Sequence, residues 1–424
     1  MKKYQNLTSE QLRAAYDEEL GRYEELKSKG VSVDMTRGRP SKDQLEIAMP
    51  MLKEAGNYNY ITNGLDARNY GEPAGIKPAR ELFANLLGVS SDEVVVFDGS
   101  SLDIMYNLIQ FAMQFGIMGG TPWNKLESVK FLCPARGYDR HFAICQNFGI
   151  EMITVPMLDD GPDMDIVERL VREDDSIKGI WCVPKYSNPT GVVYSDKTVA
   201  RMVNLKPRAN DFRVFWDNAY LIHSLYGDDD KLLNIFDVAK QIGSEDMIYE
   251  LASTSKITFA GSGVAALAAS KANVADVLKK TFFKQINPNK VNQVMHVNFL
   301  RDVDNIKRIM TQHADLLRPK FELCAEKLKE EFAGCDDVKW SSPRGGYFIS
   351  LDVPGCAKRI VQLALEAGVK FTAAGSTYPY MNDEADSNIR IAPSVPSLDE
   401  MKFAMHVLIC SIKLAILEKS VENI

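Results

Sequence analysis

Short apolar runs rich in β-branched residues alternate with helical stretches through the middle of this 424-residue chain. Seven such runs lie between about residues 90 and 270, and each has the length of a strand. Their hydrophobicity is continuous rather than alternating, which is typical of strands buried on both faces. We therefore predict an α/β fold with a seven-stranded, mostly parallel sheet covered by helices. The predicted strands are Val94–Phe97, Val129–Cys133, Met152–Met157, Ile177–Val183, Arg213–Trp216, Met247–Ala252 and Val264–Ala269.

The two ends of the chain show helical periodicity. Thr8, with Gln11 three residues later, is the pattern of a capping box, and the apolar stripe that follows ends at Gly30. The region after about residue 305 reads as helices separated by short strands, which predicts a smaller α+β domain. We expect an N-terminal helix and arm joining the small domain (1–45), a large α/β domain (46–305) and a small C-terminal domain (306–424). The elements predicted in the last of these are Leu316–Phe332, Gly346–Leu351, Ile360–Ala367 and Leu398–Leu417.

Composition narrows the classes of partner. A net charge of −7 and a pI near 5.5 argue against a nucleic-acid-binding or anionic-membrane surface, because both need clustered Lys and Arg. The seven cysteines form no CxxC pair, which fits neither a zinc site nor a disulfide framework. The first residues lack an apolar signal region, and no run approaches the roughly 18 apolar residues of a membrane span. We expect a cytoplasmic protein that acts on small molecules.

Ligands of parallel α/β sheets bind beyond the carboxyl ends of the strands, so the residues that follow each strand are the candidates. Strand Val94–Phe97 is followed by Gly99, Ser100 and Ser101, after which helical spacing begins. Free backbone N–H groups and hydroxyls at a helix N-terminus form an anion site suited to a phosphate. A Ser pair before a helix also serves as a simple N-cap, and the pattern alone leaves both interpretations open.

Three further polar segments follow separate strands. Asn188 comes after the fourth strand, Asp217 closes the fifth with Tyr220 three residues later, and Lys256 follows the sixth after the hydroxyl residues 253–255. Taken singly, an Asp in such a place caps a helix and a lysine is solvated. In this order, a phosphate cradle, an Asn, an Asp with a Tyr, and a Lys supply the parts needed to bind an aldehyde cofactor.

These motifs resemble those of the class I and II aminotransferases of the aspartate aminotransferase fold family, the fold type I enzymes that use pyridoxal 5′-phosphate (PLP). Within that family the chain looks most like the bacterial aspartate aminotransferases related to the effector domains of MocR-type regulators. The resemblance covers nearly the whole chain. It runs from the segment 37–40 (Arg-Gly-Arg-Pro) through 69–71 (Asn-Tyr-Gly) to 388–390 (Asn-Ile-Arg).

The resemblance implies roles for the central residues. Lys256 carries PLP as a Schiff base, Asp217 contacts the pyridine nitrogen, and Asn188 and Tyr220 contact the phenolic oxygen of the ring. Asp217 keeps the nitrogen protonated, so the ring can accept electrons when the substrate Cα loses its proton. Lys256 is then the general base that moves this proton. Arg390 binds the substrate α-carboxylate through two parallel hydrogen bonds, which orients the Cα bonds.

The same resemblance implies the remaining contacts of the cofactor. Tyr138 stacks on the ring, and Ser100, Ser101 and Ser253 contact the phosphate. Tyr70 matches a tyrosine that reaches the phosphate of the neighbouring subunit. The expected assembly is therefore at least a homodimer with active sites at the subunit interface.

One position departs from the family pattern. The family usually has an arginine eight residues after the lysine, where it pairs with the phosphate, and this chain has Val264. The phosphate charge must then be compensated by the helix N-terminus after Ser101, by hydroxyls such as Thr254 or Ser255, or by a basic residue from elsewhere. His223, near Tyr220 in sequence, is interpreted as a packing residue.

The sequence says less about the substrate. An aspartate or glutamate donor needs a second cation for its side-chain carboxylate, and the resemblance favours Arg37 and Arg39 because they flank Gly38, which matches a substrate-proximal glycine loop. Other candidate cations are Arg136, Arg140 and Lys290. We expect ping-pong transfer of an amino group to a 2-oxo acid such as 2-oxoglutarate.

Two other functions stay open at this point. A β-elimination lyase or a decarboxylase would keep the same Lys, Asp and Asn, so motifs do not exclude them. A non-catalytic PLP-sensing regulator would carry a DNA-binding domain at its N-terminus. Only about 35 residues, which read as one helix, precede Arg37, and the acidic net charge also argues against a regulator.

Overall fold

A computed structural model describes residues 7–227 and 230–422 of the chain. The α-helices, numbered α1 to α14, are Ser9–Ser28, Lys42–Ile47, Met49–Lys53, Lys77–Leu87, Ser101–Phe115, Asp139–Asn147, Met164–Glu173, Asp196–Val203, Ile235–Ile242, Lys271–Thr281, Lys290–Leu300, Val303–Phe332, Ala357–Glu366 and Leu398–Glu422. The β-strands, numbered β1 to β15, are Val33–Asp34, Ile61–Thr62, Leu65–Asp66, Val94–Asp98, Lys130–Ala135, Glu151–Leu158, Gly161–Pro162, Ile177–Cys182, Arg213–Asp217, Ile248–Ser253, Val264–Ala269, Lys339–Trp340, Ile349–Asp352, Val369–Lys370 and Asn388–Ile391.

The large sheet has the strand order β4-β11-β10-β9-β8-β5-β6-β7. Strands β10, β9, β8, β5 and β6 pair in parallel, whereas β11 is antiparallel to both of its neighbours. The predicted α/β fold and its mostly parallel sheet are confirmed, and all seven predicted strands are present. An eighth strand, the two-residue β7, pairs antiparallel with the end of β6. Its residues, Gly161 and Pro162, carry no hydrophobic pattern that could have predicted it.

Both faces of the large sheet are covered. Strands β8 and β11 are buried at every position. One face packs Val214 and Trp216 into a core, and the other packs Phe215 with Phe131 and Trp181 into a second core. This two-sided burial is the reason that the strands read as continuous apolar runs.

A further core joins the two ends of the chain. The capping box at Thr8 is present, and α1 packs against α14 while the Tyr23 hydroxyl donates to the Leu363 carbonyl at 2.8 Å. Strand β1 pairs in parallel with β14. The arm that follows α1 therefore belongs to the same core as the C-terminal helices. The division of the chain at residues 45 and 305 stays a prediction.

The long helix α12 begins earlier than predicted. It starts at Val303, where the Asp302 side chain caps the N–H of Asn305, and it continues through Pro319 to Phe332. Its first turns bury Ile306 and Ile309, whereas charged residues occupy the other faces of these turns, so the apolar stripe is narrow. Such a narrow stripe is a weak periodic signal, so the prediction began only at residue 316.

All seven cysteines are free thiols. Within residues 7–227 and 230–422, none of the helices has the length and apolar character required to cross a membrane. The cytoplasmic location stays a prediction.

A largely buried ion pair, with side chains 10% and 15% exposed, links the amino ends of β8 and β9. The Lys178 ammonium and the Trp123 indole N–H both donate to the Asp211 carboxylate at 2.7 Å. We expect Asp211→Ala to lower the free energy of unfolding by about 3–5 kcal/mol, because it leaves a buried ammonium without its counter-ion. Denaturant unfolding followed by circular dichroism measures this loss.

The matched control is Asp165→Ala, which removes an exposed ion pair with Arg201. This control should cost about 1 kcal/mol or less. Equal losses for the two variants would contradict the assigned role of Asp211.

Candidate active site

The carboxyl ends of β4, β9 and β10 surround a cavity of about 120 Å³. Lys256 lies between this cavity and a larger one of about 400 Å³, and lines both. Tyr138, Asn188 and Tyr220 also line both cavities. The smaller cavity is completed by Ser100, Ser101, Leu102, Val183, Asp217, Ala219, Ser253 and Ser255. The structure thus brings together the residues for which the sequence predicted contacts with PLP, with the exception of Tyr70.

The amine of Lys256 faces aromatic rings. Its Nζ lies 5.1 Å from the ring centroid of Tyr220 and 5.9 Å from that of Tyr347. Burial lowers the pKa of Lys256, and the negative charge of Asp217 acts in the opposite direction. A lowered pKa increases the fraction of neutral amine, the form that attacks a carbonyl carbon.

Asp217 closes β9 and is 3% exposed. Its Oδ2 lies 3.1 Å from His141 Nε2, and the Ser101 hydroxyl donates to its Oδ1 at 3.4 Å. The imidazole of His141 stacks on Trp181, with ring centroids 4.6 Å apart. The carboxylate of Asp217 is therefore held in its orientation by the buried imidazole of His141, whose rotation is restricted by its stacking on Trp181.

The sequence interpretation missed His141. It lies three residues after Tyr138 in the first turn of α6, so one helical turn brings its ring to 5.0 Å from the ring of Tyr138, which lines both cavities. The Tyr-x-x-His spacing at a strand-to-helix junction is a signal that could have found it.

The N-terminus of α5 forms one wall of the smaller cavity. Ser100 is the N-cap, and the Asp103 carboxylate accepts hydrogen bonds from the Ser100 N–H at 3.0 Å and its hydroxyl at 3.1 Å. The Ser253 hydroxyl donates to the Ser255 hydroxyl at 3.3 Å. Hydroxyls at a helix N-terminus suit a phosphate.

The position of the missing family arginine is buried. Val264 is 1% exposed, and its N–H donates to the Thr254 hydroxyl at 3.0 Å. The Thr254 hydroxyl thus already accepts a hydrogen bond from the main chain, whereas Ser255 lines the cavity. Among the described residues, Lys256 is the only cation that lines this smaller cavity.

Arg390 lies on β15 and reaches the larger cavity while remaining 5% exposed. Its Nη1 donates to Asp139 at 2.8 Å and to the Asn188 side chain at 3.4 Å, and its Nη2 donates to the Thr372 hydroxyl at 3.2 Å. The guanidinium also lies over the Phe348 ring at 4.9 Å. These contacts hold the side chain in one orientation.

Four further cations line the larger cavity. They are Arg37, Arg39, Arg140 and Lys370, and all four are exposed. The sequence interpretation missed Lys370, which comes near Arg39 only because β14 pairs with β1. Gly38 lies at the same wall, where a Cβ would approach Phe348 Cζ to 2.6 Å. Only glycine fits there without a shift of the aromatic ring.

Two of the candidate cations lie elsewhere. Arg136 forms an ion pair with Asp352 and does not line either cavity. Lys290 is 3% exposed and donates to the carbonyls of Asn69 at 2.5 Å and Gly71 at 2.8 Å. Neither cation is placed to bind a substrate carboxylate in its own chain, because each already has partners outside the two cavities.

Two remaining residues lie outside the cavities. Tyr70 is 78% exposed and lines neither cavity of its own chain. His223 is 4% exposed and packs edge-on against Tyr220 and Tyr347, with centroids 5.6 and 5.9 Å away. Burial holds the pKa of His223 well below its ordinary value, so this ring is neutral.

Comparison with known proteins agrees with this geometry. The family model described as "Aspartate amino-transferase" matches residues 7–423. A protein of Mycolicibacterium smegmatis that bears an aminotransferase name is 44% identical over 95% of this chain and 95% of its own. The crystal structure of an aspartate transaminase from Corynebacterium glutamicum is 41% identical, covers 98% of each chain and superposes with a TM-score of 0.94.

A more distant structure shares the fold. The α-aminoadipate aminotransferase LysN of Thermus thermophilus, solved with N-(5′-phosphopyridoxyl)-L-leucine, has a TM-score of 0.70 at 20% identity and covers 96% of this chain and 97% of its own. The family model matches residues 7–423, and two relatives exceed 40% identity. Both findings agree with the two adjoining cavities, which are lined by Lys256, Asp217 and Arg390. The chain belongs to the aspartate aminotransferase family, the fold type I aminotransferases that depend on pyridoxal 5′-phosphate.

Proposed function

We propose that this aminotransferase moves the amino group of aspartate or glutamate to a 2-oxo acid such as 2-oxoglutarate, with PLP held on Lys256. The observation that carries the proposal is the pair of cavities that share Lys256. One is closed by the Asp217 carboxylate, and the other is lined by Arg390 and four more cations. An anionic substrate and a cofactor with a basic ring nitrogen fit these two charge environments.

The residues of the smaller cavity fit PLP part by part. Lys256, with its lowered pKa, would hold the aldehyde carbon, and Asp217 would pair with the protonated ring nitrogen. Asn188 and Tyr220 would contact the phenolic oxygen, and Tyr138 would cover a face of the ring. The phosphate would lie at the N-terminus of α5, against the hydroxyls of Ser100, Ser101, Ser253 and Ser255.

The chain's own side chains then account for the proton transfer. Bound PLP supplies a ring that accepts the electrons left when the substrate Cα loses its proton. Asp217, held by His141, would keep the ring nitrogen protonated. Lys256 Nζ would take the Cα proton and deliver it to the carbon of PLP that carried the aldehyde. Arg390 would bind the α-carboxylate and so fix which Cα bond stands perpendicular to the ring.

The spectrum of the purified enzyme tests the central claim. Because Lys256 binds the cofactor covalently, we expect a visible absorbance band that aspartate bleaches and 2-oxoglutarate restores. Lys256→Ala should lack the band of the lysine-bound cofactor and should lose transferase activity by about 100-fold or more, since it lacks the group that moves the proton.

Each arm of this experiment decides a different point. A band that aspartate leaves unchanged would overturn the proposed donor but not the cofactor site. The absence of any band after PLP is added to the wild type would contradict the assignment of Lys256.

The second carboxylate of the donor needs a cation at the larger cavity. Burial raises the pKa of Asp34, but hydrogen bonds from Thr36, and after them the positive charges of Arg39 and Lys370, lower it overall. Asp34 is thus an acid that partly offsets the charges of Arg39 and Lys370. In the described ranges, no ion pair engages the side chains of Arg37 or Arg140. We infer that Arg37, together with Arg140, binds the side-chain carboxylate of aspartate or glutamate.

Substitution of these two cations should change the donor preference. We expect Arg37→Gln with Arg140→Gln to lower kcat/KM for aspartate by about 10- to 100-fold and that for alanine by about threefold or less, because only aspartate has a second carboxylate. Steady-state kinetics over a panel of donors gives both values. Lys370→Gln is the matched control and should have the smaller effect on aspartate. A wild type that prefers aromatic or aliphatic donors would contradict the dicarboxylate assignment.

A different PLP reaction is the competing function. A β-elimination lyase would release ammonia and pyruvate without needing a 2-oxo acid acceptor, and a decarboxylase would release carbon dioxide. Family membership favours transamination, and product analysis with and without the acceptor separates the three reactions. The regulator hypothesis has no support from the relatives, which carry aminotransferase names.

We also propose that the enzyme is a homodimer in which Tyr70 serves the neighbouring active site. Tyr70 is 78% exposed, yet Lys290 binds the carbonyls on both sides of it. Phe282, Phe283 and Ile286 are 80%, 71% and 69% exposed. Large apolar side chains at such exposure mark an association surface. Tyr70 from the second subunit would add a hydroxyl donor to a phosphate site that is poor in cations.

Disruption of that surface should separate the subunits. We expect Phe283→Glu with Ile286→Glu to give a monomer by light scattering and to weaken PLP binding, because buried carboxylates oppose association and Tyr70 is lost from the neighbouring site. Ile242→Glu, at a 46% exposed apolar position at the end of α9, is the control and should stay dimeric. A fully active wild-type monomer would rule out the role of Tyr70.

A further inference from the structure

The guanidinium of Arg390 already holds a carboxylate of its own chain. Its Nη1 donates to Asp139 Oδ1 at 2.8 Å, the length of a charge-assisted hydrogen bond. The other described partners of this guanidinium are neutral. They are the Asn188 side chain at 3.4 Å, the Thr372 hydroxyl at 3.2 Å and the Thr36 carbonyl at 3.5 Å. Among the described residues, Asp139 is the single anion paired with Arg390.

The two members of this pair differ in how firmly they are held. The side chain of Arg390 is 5% exposed and is clamped by the neutral contacts, whereas that of Asp139 is 31% exposed. The Nε of Arg390 is buried and has no hydrogen-bond partner. Arg390 is therefore held in one position and keeps one N–H donor, Nε, without a partner. Asp139 is the more exposed member of the pair and is the one that can move away.

A substrate α-carboxylate and Asp139 compete for the same donors. Two parallel hydrogen bonds to a carboxylate use an edge of the guanidinium, and one of its terminal nitrogens already serves Asp139. Two carboxylates on one guanidinium would also repel each other at close range. Asp139 is the first residue of α6, where the helix N-terminus stabilises a negative charge even when the contact with Arg390 is lost.

We propose that Asp139 is an internal competitor that the substrate α-carboxylate displaces from Arg390, and that this displacement sets the affinity of the enzyme for anionic substrates. The inference rests on the proposed role of Arg390. It adds a residue that lowers affinity, while Asn188, Thr372 and Phe348 hold the arginine in place. Substrates with a second carboxylate offset the displacement through the cations Arg37 and Arg140.

Calorimetric binding of maleate to the PLP-loaded enzyme tests the proposal. Maleate is a dicarboxylate without an amino group, so it binds without turnover. At about pH 7.5, where an ordinary aspartate is ionised, we expect Asp139→Asn to bind maleate roughly 3- to 30-fold more tightly than the wild type. Asparagine keeps the shape and the acceptor oxygen but removes the competing charge.

Three variants distinguish competition from other roles. Thr372→Val removes a neutral contact of Arg390 and should weaken maleate binding. Asp165→Asn removes the same charge from an exposed Asp–Arg pair remote from the cavities and should leave maleate affinity unchanged. Arg390→Lys should weaken maleate binding strongly, because a lysine cannot form the two parallel hydrogen bonds.

The outcomes separate this inference from the proposed function. Competition between Asp139 and the substrate is supported if Asp139→Asn is the single variant that binds maleate more tightly and Thr372→Val binds it more weakly. Unchanged or weaker binding by Asp139→Asn, in a variant whose melting temperature matches the wild type, overturns it and makes Asp139 an orienting residue like Thr372. Unchanged binding by Arg390→Lys overturns the proposed carboxylate site itself, and the inference with it.

Discussion

A carboxylate buried at the end of a central strand must be paired, and the active site is arranged around this requirement at Asp217. A buried ion without partners costs several kcal/mol, so its surroundings have to supply them. His141 and Ser101 contact the two carboxylate oxygens from different helices, and the charge of Lys256 acts on the same group. A protonated ring nitrogen in the adjoining cavity would add a charged partner to these contacts, which links the stability of this strand end to the cofactor.

The substrate side depends on a second constraint, the meeting of two cores. Lys256 follows β10 of the large sheet, whereas Arg390 lies on β15 of the three-stranded sheet β12-β13-β15. Asn188 lines both cavities and also contacts Arg390, so it joins the two sides of the site. Any relative movement of the cores changes the distance between the amine that moves the proton and the guanidinium that orients the substrate.

Local patterns predicted most of the large sheet because its strands are buried on both faces and therefore read as uninterrupted apolar runs. A polar residue that follows such a run can be placed at the carboxyl edge of the sheet from the sequence alone, as Ser100, Asp217 and Lys256 show. Strand β7 was not predicted because it has only two residues, and the first turns of α12 were not predicted because their apolar stripe is narrow. His141 was missed because its partner Asp217 lies 76 residues away: the Tyr-x-x-His spacing could place its ring beside Tyr138, but it does not record the contact with Asp217.

The sequence by itself determined the fold class, the strand ends that carry chemistry and the types of residue placed there, because backbone burial and capping are read from neighbouring positions. Tertiary structure decided which charges meet. Arg136 pairs with Asp352, Lys290 binds the main chain beside Tyr70, Lys370 arrives through the pairing of β1 with β14, and Asp139 holds Arg390. These are contacts between residues far apart in the chain, and their strength depends on distance and burial, which only the folded chain sets.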